Sequence, residues 1–273
     1  MQSRPPEKIK REIRRRYAAI AKSAGSCGCA TGCCQPSAVP GPAPGASARI
    51  GYSPEEISSA PAGADLGLGC GNPQAIAELK AGATVIDLGC GGGFDCFLAA
   101  RRVGPTGRII GVDMTEEMIE KARTNAAAGG YENVEFRLGE IEHLPVSDET
   151  ADAIISNCVI NLSPDKGRVY SEAFRVLRPG GRLAISDVVA VAPIPDRVKR
   201  DFSAYSGCVA GAAAVPETEA MLKAAGFADI RVRVHEESAF FIKDWFPDSG
   251  AERFVRAARI EAIRPGPGVL QVL

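Results

Sequence analysis

The chain predicts an open α/β fold, a mostly parallel sheet with helices on both faces. Three observations carry this expectation. The β-forming run Val85-Ile86-Asp87-Leu88 meets the glycine cluster Gly89-Cys90-Gly91-Gly92-Gly93, and a helical pattern follows at once. That is the strand–loop–helix unit of an open α/β sheet, in which ligands bind beyond the carboxyl ends of the strands. Strand and helix patterns then alternate along the chain, which implies parallel pairing through right-handed crossovers. Finally, 273 residues with 45% hydrophobic content suffice to bury a substantial core.

Composition narrows the function. A net charge of −1 gives no sign of general nucleic-acid binding. No apolar run is long enough to span a bilayer, and the N-terminus lacks the hydrophobic segment of a signal peptide. The expected compartment is the cytoplasm, with neither nucleic acid nor membrane as partner. Nine cysteines then stand out. In a reducing compartment they are ligands, redox groups or core fillers more often than structural disulfides.

Residues 6–22 read as a helix with Ile9, Ile13, Tyr17 and Ile20 on one side and Lys8, Lys10, Arg11, Arg14, Arg15 and Arg16 over the remainder. The favoured reading is a helix packed on the main domain with a solvated basic face, rather than a membrane- or partner-binding helix. Cys27, Cys29, Cys33 and Cys34 follow on a glycine-rich segment that runs into Pro, Gly, Ala and Ser up to residue 47. This composition expects a flexible linker carrying mobile thiol donors or a soft-metal clip. The expected division is residues 1–47 as basic helix and cysteine-rich segment, 48–246 as the main domain, and 247–273 as a short C-terminal extension.

Ser53 before Pro54 marks a helix start. Residues 66–73 form a second glycine-rich loop, in which Cys70 is either a ligand or a small turn filler. Helices are expected over residues 74–80, 94–103, 115–128 (closed by Gly129-Gly130), 168–177 and 217–225. Strands are expected over 108–113, 134–138, 151–156 and 182–187. Segments 228–236 and 238–243 read as closing antiparallel strands, and a short helix with a Pro/Gly tail follows from 248. Asp113 ends its strand 20 residues beyond Gly93, where nucleoside-binding folds place a ribose-binding carboxylate. The competing reading makes Asp113 a cap for the helix from Thr115.

Asp87-Leu88-Gly89-Cys90-Gly91-Gly92-Gly93, Asp113, Gly139-Glu140-Ile141-Glu142 and Leu177-Arg178-Pro179-Gly180-Gly181 together resemble the class I S-adenosylmethionine-dependent methyltransferases. The resemblance spans roughly residues 73–243. It implies a Rossmann-like, seven-stranded sheet with one antiparallel strand, and S-adenosylmethionine as cofactor. It also implies that Asp87 and the loop of Gly89, Gly91 and Gly93 contact the methionine part. Asp113 would hold the ribose, Met114 would pack on adenine, and Glu140 and Ile141 would bound the adenine edge. Asn157 would lie near the methionine end, and Tyr17 joins the cofactor-binding set. Cys90 replaces a common serine and reads as loop packing.

Cys158 stands just past the fourth strand and Cys208 after the fifth, so with Cys70 three thiols lie in loops that could converge on one rim. Sulfur-only ligation is soft and excludes hard cations. The segments Leu68-Gly69-Cys70-Gly71-Asn72-Pro73, Ser156-Asn157-Cys158-Val159-Ile160-Asn161-Leu162 and Ser206-Gly207-Cys208-Val209-Ala210-Gly211 closely resemble the arsenite methyltransferase family. That resemblance implies trivalent arsenic, as arsenite or methylarsenite, bound by Cys70, Cys158 and Cys208 and methylated without a general base. It further implies that an N-terminal cysteine pairs with Cys70 to return two electrons to arsenic, with thioredoxin or glutathione restoring the thiols. Cys33 and Cys34 are the first candidates for that cysteine; Cys27 and Cys29 stay open. The extra C-terminal domain of the family's longer members has no counterpart in these 273 residues, so no role of that domain is expected. The alternatives are a methyltransferase for a quinone- or sterol-like acceptor, or a non-catalytic protein whose thiols bind zinc or arsenic.

Overall fold

The computed structural model describes residues 5–23, 45–245 and 250–266. The seven strands are β1 (Thr84–Leu88), β2 (Arg108–Asp113), β3 (Val134–Leu138), β4 (Ala151–Asn157), β5 (Leu177–Ala190), β6 (Ala228–His235) and β7 (Val255–Ile263). They form one sheet in the order β3-β2-β1-β4-β5-β7-β6. β1 lies between β2 and β4 and is parallel to both, so the chain order reverses there. A reversal of this kind leaves a crevice at the carboxyl ends of the strands, because the connecting helices depart to opposite faces. β7 runs antiparallel to β5 and β6.

The central strands explain their own position. Val85, Ile86, Leu88, Ile109, Ile110 and Val112 are all fully buried, as a sheet covered on both faces requires. The helix Phe94–Val103 falls where its pattern placed it, and Gly130 closes the helix Glu116–Gly129 in the left-handed conformation. At Pro54 the Ser53 hydroxyl accepts from the Glu56 N–H at 3.1 Å, and the Glu56 carboxylate accepts from the Ser53 N–H at 3.0 Å. The short helix after Pro73 stops at Ala77 because Glu78 turns to φ 47°. The Pro179-Gly180-Gly181 turn is an excursion within β5: Leu177 pairs with Ala151 and Arg182 with Ala153, while Gly180 takes φ 82°.

The C-terminal expectations need correction. Residues 238–243 are not a strand: a 3-10 turn, Glu236–Ser238, leads into the helix Ala239–Trp245. Its Phe241, Ile242 and Trp245 face the core at helical spacing, while Phe240 is exposed. The second antiparallel strand is β7, within the stretch expected to be helix and tail. Its Ala, Arg and Glu residues favour helix intrinsically. Laid between β5 and β6, however, it buries Val255, Ala257, Ala258, Ile260 and Ala262, and that packing overrides propensity. Residues 255–263 are therefore part of the sheet, and the expected boundary at 246 cuts through the domain.

The N-terminal helix, Pro6–Ser23, packs on the same domain through Ile13, Ile20 and Ala21. Its basic face is not wholly solvated, since Lys10 is buried against Glu140 and Glu142. Cys27, Cys29, Cys33 and Cys34 lie outside the described residues. Among the described residues, no helix is long and apolar enough to cross a membrane.

Candidate active site

The carboxyl ends of β1, β2 and β4 open onto a crevice with an empty volume of about 1080 Å³, its open mouth included. Lys10, Ile13 and Tyr17 of the N-terminal helix border it, as do Tyr52, Met114 and Ile141. Gly89 and Gly91 take φ 71° and 52°. A Cβ on Gly91 would meet nothing, so that edge of the loop is open to a ligand. A Cβ on Gly89 would strike Val159, so this glycine lets the loop approach the segment that carries Cys158.

Gly93 departs from its expected role. It does not border the crevice; its φ is 90°, and a Cβ there would lie 2.8–2.9 Å from the Phe97 and Phe136 rings. It is a packing residue at the start of a helix. Glu140 departs too. Lys10 donates to its carboxylate at 2.6 Å and Arg14 pairs with its other oxygen, so it anchors the N-terminal helix, while lining a second cavity that shares Met114 and Thr115 with the crevice. Ile141 and Glu142 border the crevice instead.

Asp113 caps the following helix and also faces the crevice. Its Oδ2 accepts from the Gly91 N–H at 3.0 Å and its Oδ1 from the Thr115 N–H at 2.8 Å, while the residue borders the crevice. The Thr115 hydroxyl and the Met114 N–H also reach this carboxylate, so a ligand hydroxyl would share it with these donors.

Cys70, Cys158 and Cys208 come from three separate loops and are all buried in one cluster, with Ile13, Leu162 and Val188. Cys158 borders the crevice and the other two do not. The Cys158 thiol is within hydrogen-bonding reach of both others. Cys158 and Cys208 are in the left-handed region, at φ 58° and 63°. The Cys208 thiol donates to the Cys158 carbonyl at 2.9 Å. Burial pushes the Cys70 thiol up to about 11. At Cys158 the contact with Cys208 favours ionisation, but the Cys70 thiol and burial outweigh it and push the group well above its ordinary value. The Cys158 contact, then burial, push Cys208 up likewise. All three are neutral thiols at pH 7.

Sequence reasoning missed Asp187. One of its carboxylate oxygens and the Cys70 and Cys158 sulfurs lie within 4.8 Å of one another. The carboxylate accepts from the N–H groups of Ile160 (2.9 Å) and Val188 (2.7 Å) and from the Asn161 amide (2.9 Å). It therefore holds the turn that follows Cys158. Burial pushes its pKa up to about 6. The available signal was an acid at the end of an expected apolar strand, as at Asp113.

A second unforeseen group surrounds Asp95. The Tyr52 hydroxyl donates to its carboxylate at 2.8 Å, and burial raises the acid to about 6. Asp87 borders the crevice beside it, is likewise raised by burial, and accepts from the Cys96 thiol at 3.2 Å. Asn157 also borders the crevice. The Tyr17 hydroxyl donates to the Ser206 carbonyl at 3.2 Å, which ties the N-terminal helix to the segment preceding Cys208.

Residues 79–226 match the family profile of a methyltransferase domain. The chain is 51% identical to an arsenite methyltransferase of Halobacterium salinarum, over 96% of this chain and 68% of that one. The chain belongs to the arsenite methyltransferase family. A further arsenite methyltransferase, from Aquipseudomonas alcaligenes, is 42% identical over 60% of this chain and 49% of its own, so the match spans about half of that relative. A solved arsenic(III) S-adenosylmethionine methyltransferase from Chlamydomonas reinhardtii is 34% identical, with 83% of this chain and 75% of that chain covered and a TM-score of 0.60. As a member of the arsenite methyltransferase family, the chain is an S-adenosylmethionine-dependent methyltransferase. Its crevice fits that cofactor: a carboxylate facing it at Asp113, an open glycine edge at Gly91, and apolar walls at Met114 and Ile141.

Proposed function

We propose that this chain methylates trivalent arsenic, with arsenite held by Cys70, Cys158 and Cys208, and methylarsenite, which has only two exchangeable hydroxyls, held by two of these thiols. The observation that carries this reading is the gathering of three buried thiols from three loops, with Cys158 bordering the crevice. Bound S-adenosylmethionine supplies an electrophilic methyl group on a sulfonium sulfur. Asp113 would accept from its ribose hydroxyls, Met114 and Ile141 would enclose the adenine, and Asp87 would face the methionine end between Gly89 and Gly91.

The neutral thiols suit arsenite. Arsenious acid carries three hydroxyls; three As–S bonds form, three As–O bonds break, and each thiol proton leaves with a hydroxyl as water. The buried site never holds three uncompensated negative charges, which would be prohibitive in an apolar cluster. Arsenic keeps its lone pair, so the nucleophile needs no general base, and the protein's contribution is to fix that pair relative to the crevice. Methylation raises arsenic to the pentavalent state. Cys70 and an N-terminal cysteine, Cys33 or Cys34, would return two electrons by closing a disulfide, which thioredoxin or glutathione reopens.

Arsenic X-ray absorption of the arsenite-loaded protein tests the ligand set. Three sulfur neighbours are expected, falling to two with one oxygen in Cys208→Ser. Three sulfurs retained in that variant would exclude Cys208. Replacing Cys27, Cys29, Cys33 and Cys34 together with serine should impair turnover of arsenite more than of methylarsenite. Equal activity on both would remove these thiols from the mechanism.

A further inference from the structure

The side-chain amide of Asn157 joins the cofactor crevice to the loop that carries Cys70. Its Oδ1 accepts from the Cys70 N–H at 2.9 Å, and its Nδ2 donates to the Gly71 carbonyl at 2.7 Å. One amide thus grips both sides of the Cys70–Gly71 step. The approach is close, since a Cβ on Gly69 would lie 2.6 Å from Asn157 Nδ2. The same nitrogen also faces the Tyr52 hydroxyl oxygen at 2.9 Å and Asp95 Oδ2 at 3.4 Å. An amide has two hydrogens. Here it faces three acceptors, so the Cys70 loop competes with Tyr52 and Asp95 for them.

Tyr52 and Asp95 both border the crevice. Among the described residues, the donors to the Asp95 carboxylate are neutral, namely the Tyr52 hydroxyl and the amides of Gln74 and Asn157. We propose that Asn157 is a positioning residue that sets Cys70 according to whether the cofactor's ammonium group faces Asp95. An ammonium there satisfies the carboxylate with charge-assisted hydrogen bonds, which are about twice as strong as neutral ones. The Asn157 hydrogens are then left to Gly71 and Tyr52, and the Cys70 loop is held more firmly for the metalloid. Because Asn157 directly precedes Cys158, the amide also fixes one arsenic ligand relative to another. The inference rests on the reading of Cys70 as an arsenic ligand.

Its signature is a coupling between two bindings, which must be reciprocal. Arsenite is titrated against the full chain with and without saturating S-adenosylhomocysteine, which carries the same ammonium group, and the fluorescence of Trp245 is followed. In the native chain the bound cofactor product should tighten arsenite binding by about tenfold, within the usual range of such couplings. In Asn157→Ala the ratio should fall to within about twofold of unity. Tyr52→Phe removes one of the three competing acceptors and leaves both bonds to the Cys70 loop. Its ratio should fall as well, and it decides the outcome if Asn157→Ala does not fold. An unchanged ratio in the folded variants, or a native ratio of one, overturns the latch. A native chain that binds S-adenosylhomocysteine but no arsenite overturns the arsenic reading and the latch with it.

Discussion

In the proposed site, the buried thiols would make arsenite capture depend on pH in an unusual way. With Cys70 raised to about 11 and Cys158 and Cys208 also raised, the free site is protonated at pH 7. Only about one Cys70 in ten thousand is then thiolate, because the ionised fraction falls tenfold for each pH unit below the pKa. The thiolate is the attacking species, so the capture rate should rise about tenfold per unit between pH 6 and 9. The equilibrium should not move, because three thiols and arsenious acid give a trithiolate and water with no net release of protons. Zinc supplies the contrast: a divalent ion must displace a proton from each thiol, so its affinity should rise about a hundredfold per unit if it takes two. Trp245 is the chain's one tryptophan and packs against the cluster that holds all three cysteines, which provides a stopped-flow and equilibrium signal. An arsenite dissociation constant that shifts tenfold per unit would refute the neutral-thiol site. So would a capture rate that is flat over this range.

Three further outcomes follow from the site. Asp113→Asn should weaken S-adenosylhomocysteine binding by about 1.5–3 kcal/mol, roughly 10- to 150-fold by calorimetry, the usual loss for hydrogen bonds to a charged group. Gly93→Ala should cost about 2–5 kcal/mol in urea unfolding, from the positive φ and the contact with two rings, while cofactor affinity stays within about twofold. Asp187 has a folded pKa of about 6, above its ordinary 3.8, so its contribution to stability is present below pH 4 and lost as pH rises through 6. Going from pH 7 to 5 it should stabilise the native chain by about 1 kcal/mol, and this increment should be absent in Asp187→Asn.

Much of the cofactor crevice was legible in the sequence because it is local. A buried strand, a glycine turn and an acid at the next strand end occupy fixed offsets, so the loop and Asp113 stand out by spacing, while Asp87 was placed by the family resemblance. What escaped depends on distant partners. β7 is hidden by Ala, Arg and Glu, and only its place between β5 and β6 makes it a strand. The pairing of Glu140 with Lys10 and Arg14, more than a hundred residues away, is likewise invisible in its local motif. Gly93 looked like its neighbours in the loop, but its open side faces Phe97 and Phe136. Tyr52, Asp95 and Asp187 carry no motif; their chemistry comes from burial, which sequence spacing does not report. The three cysteines were found as motifs, while their protonation became apparent only in the folded cluster.

The central claim is that Cys158 and Cys208 present arsenic to the methyl donor. The most direct measurement incubates the purified chain with arsenite, S-adenosylmethionine and a thiol reductant, and separates the arsenic species over time. The native chain should accumulate methylated arsenic. Cys158→Ser and Cys208→Ser should form none while still binding S-adenosylhomocysteine with native affinity. Normal methylation by both variants would contradict the claim.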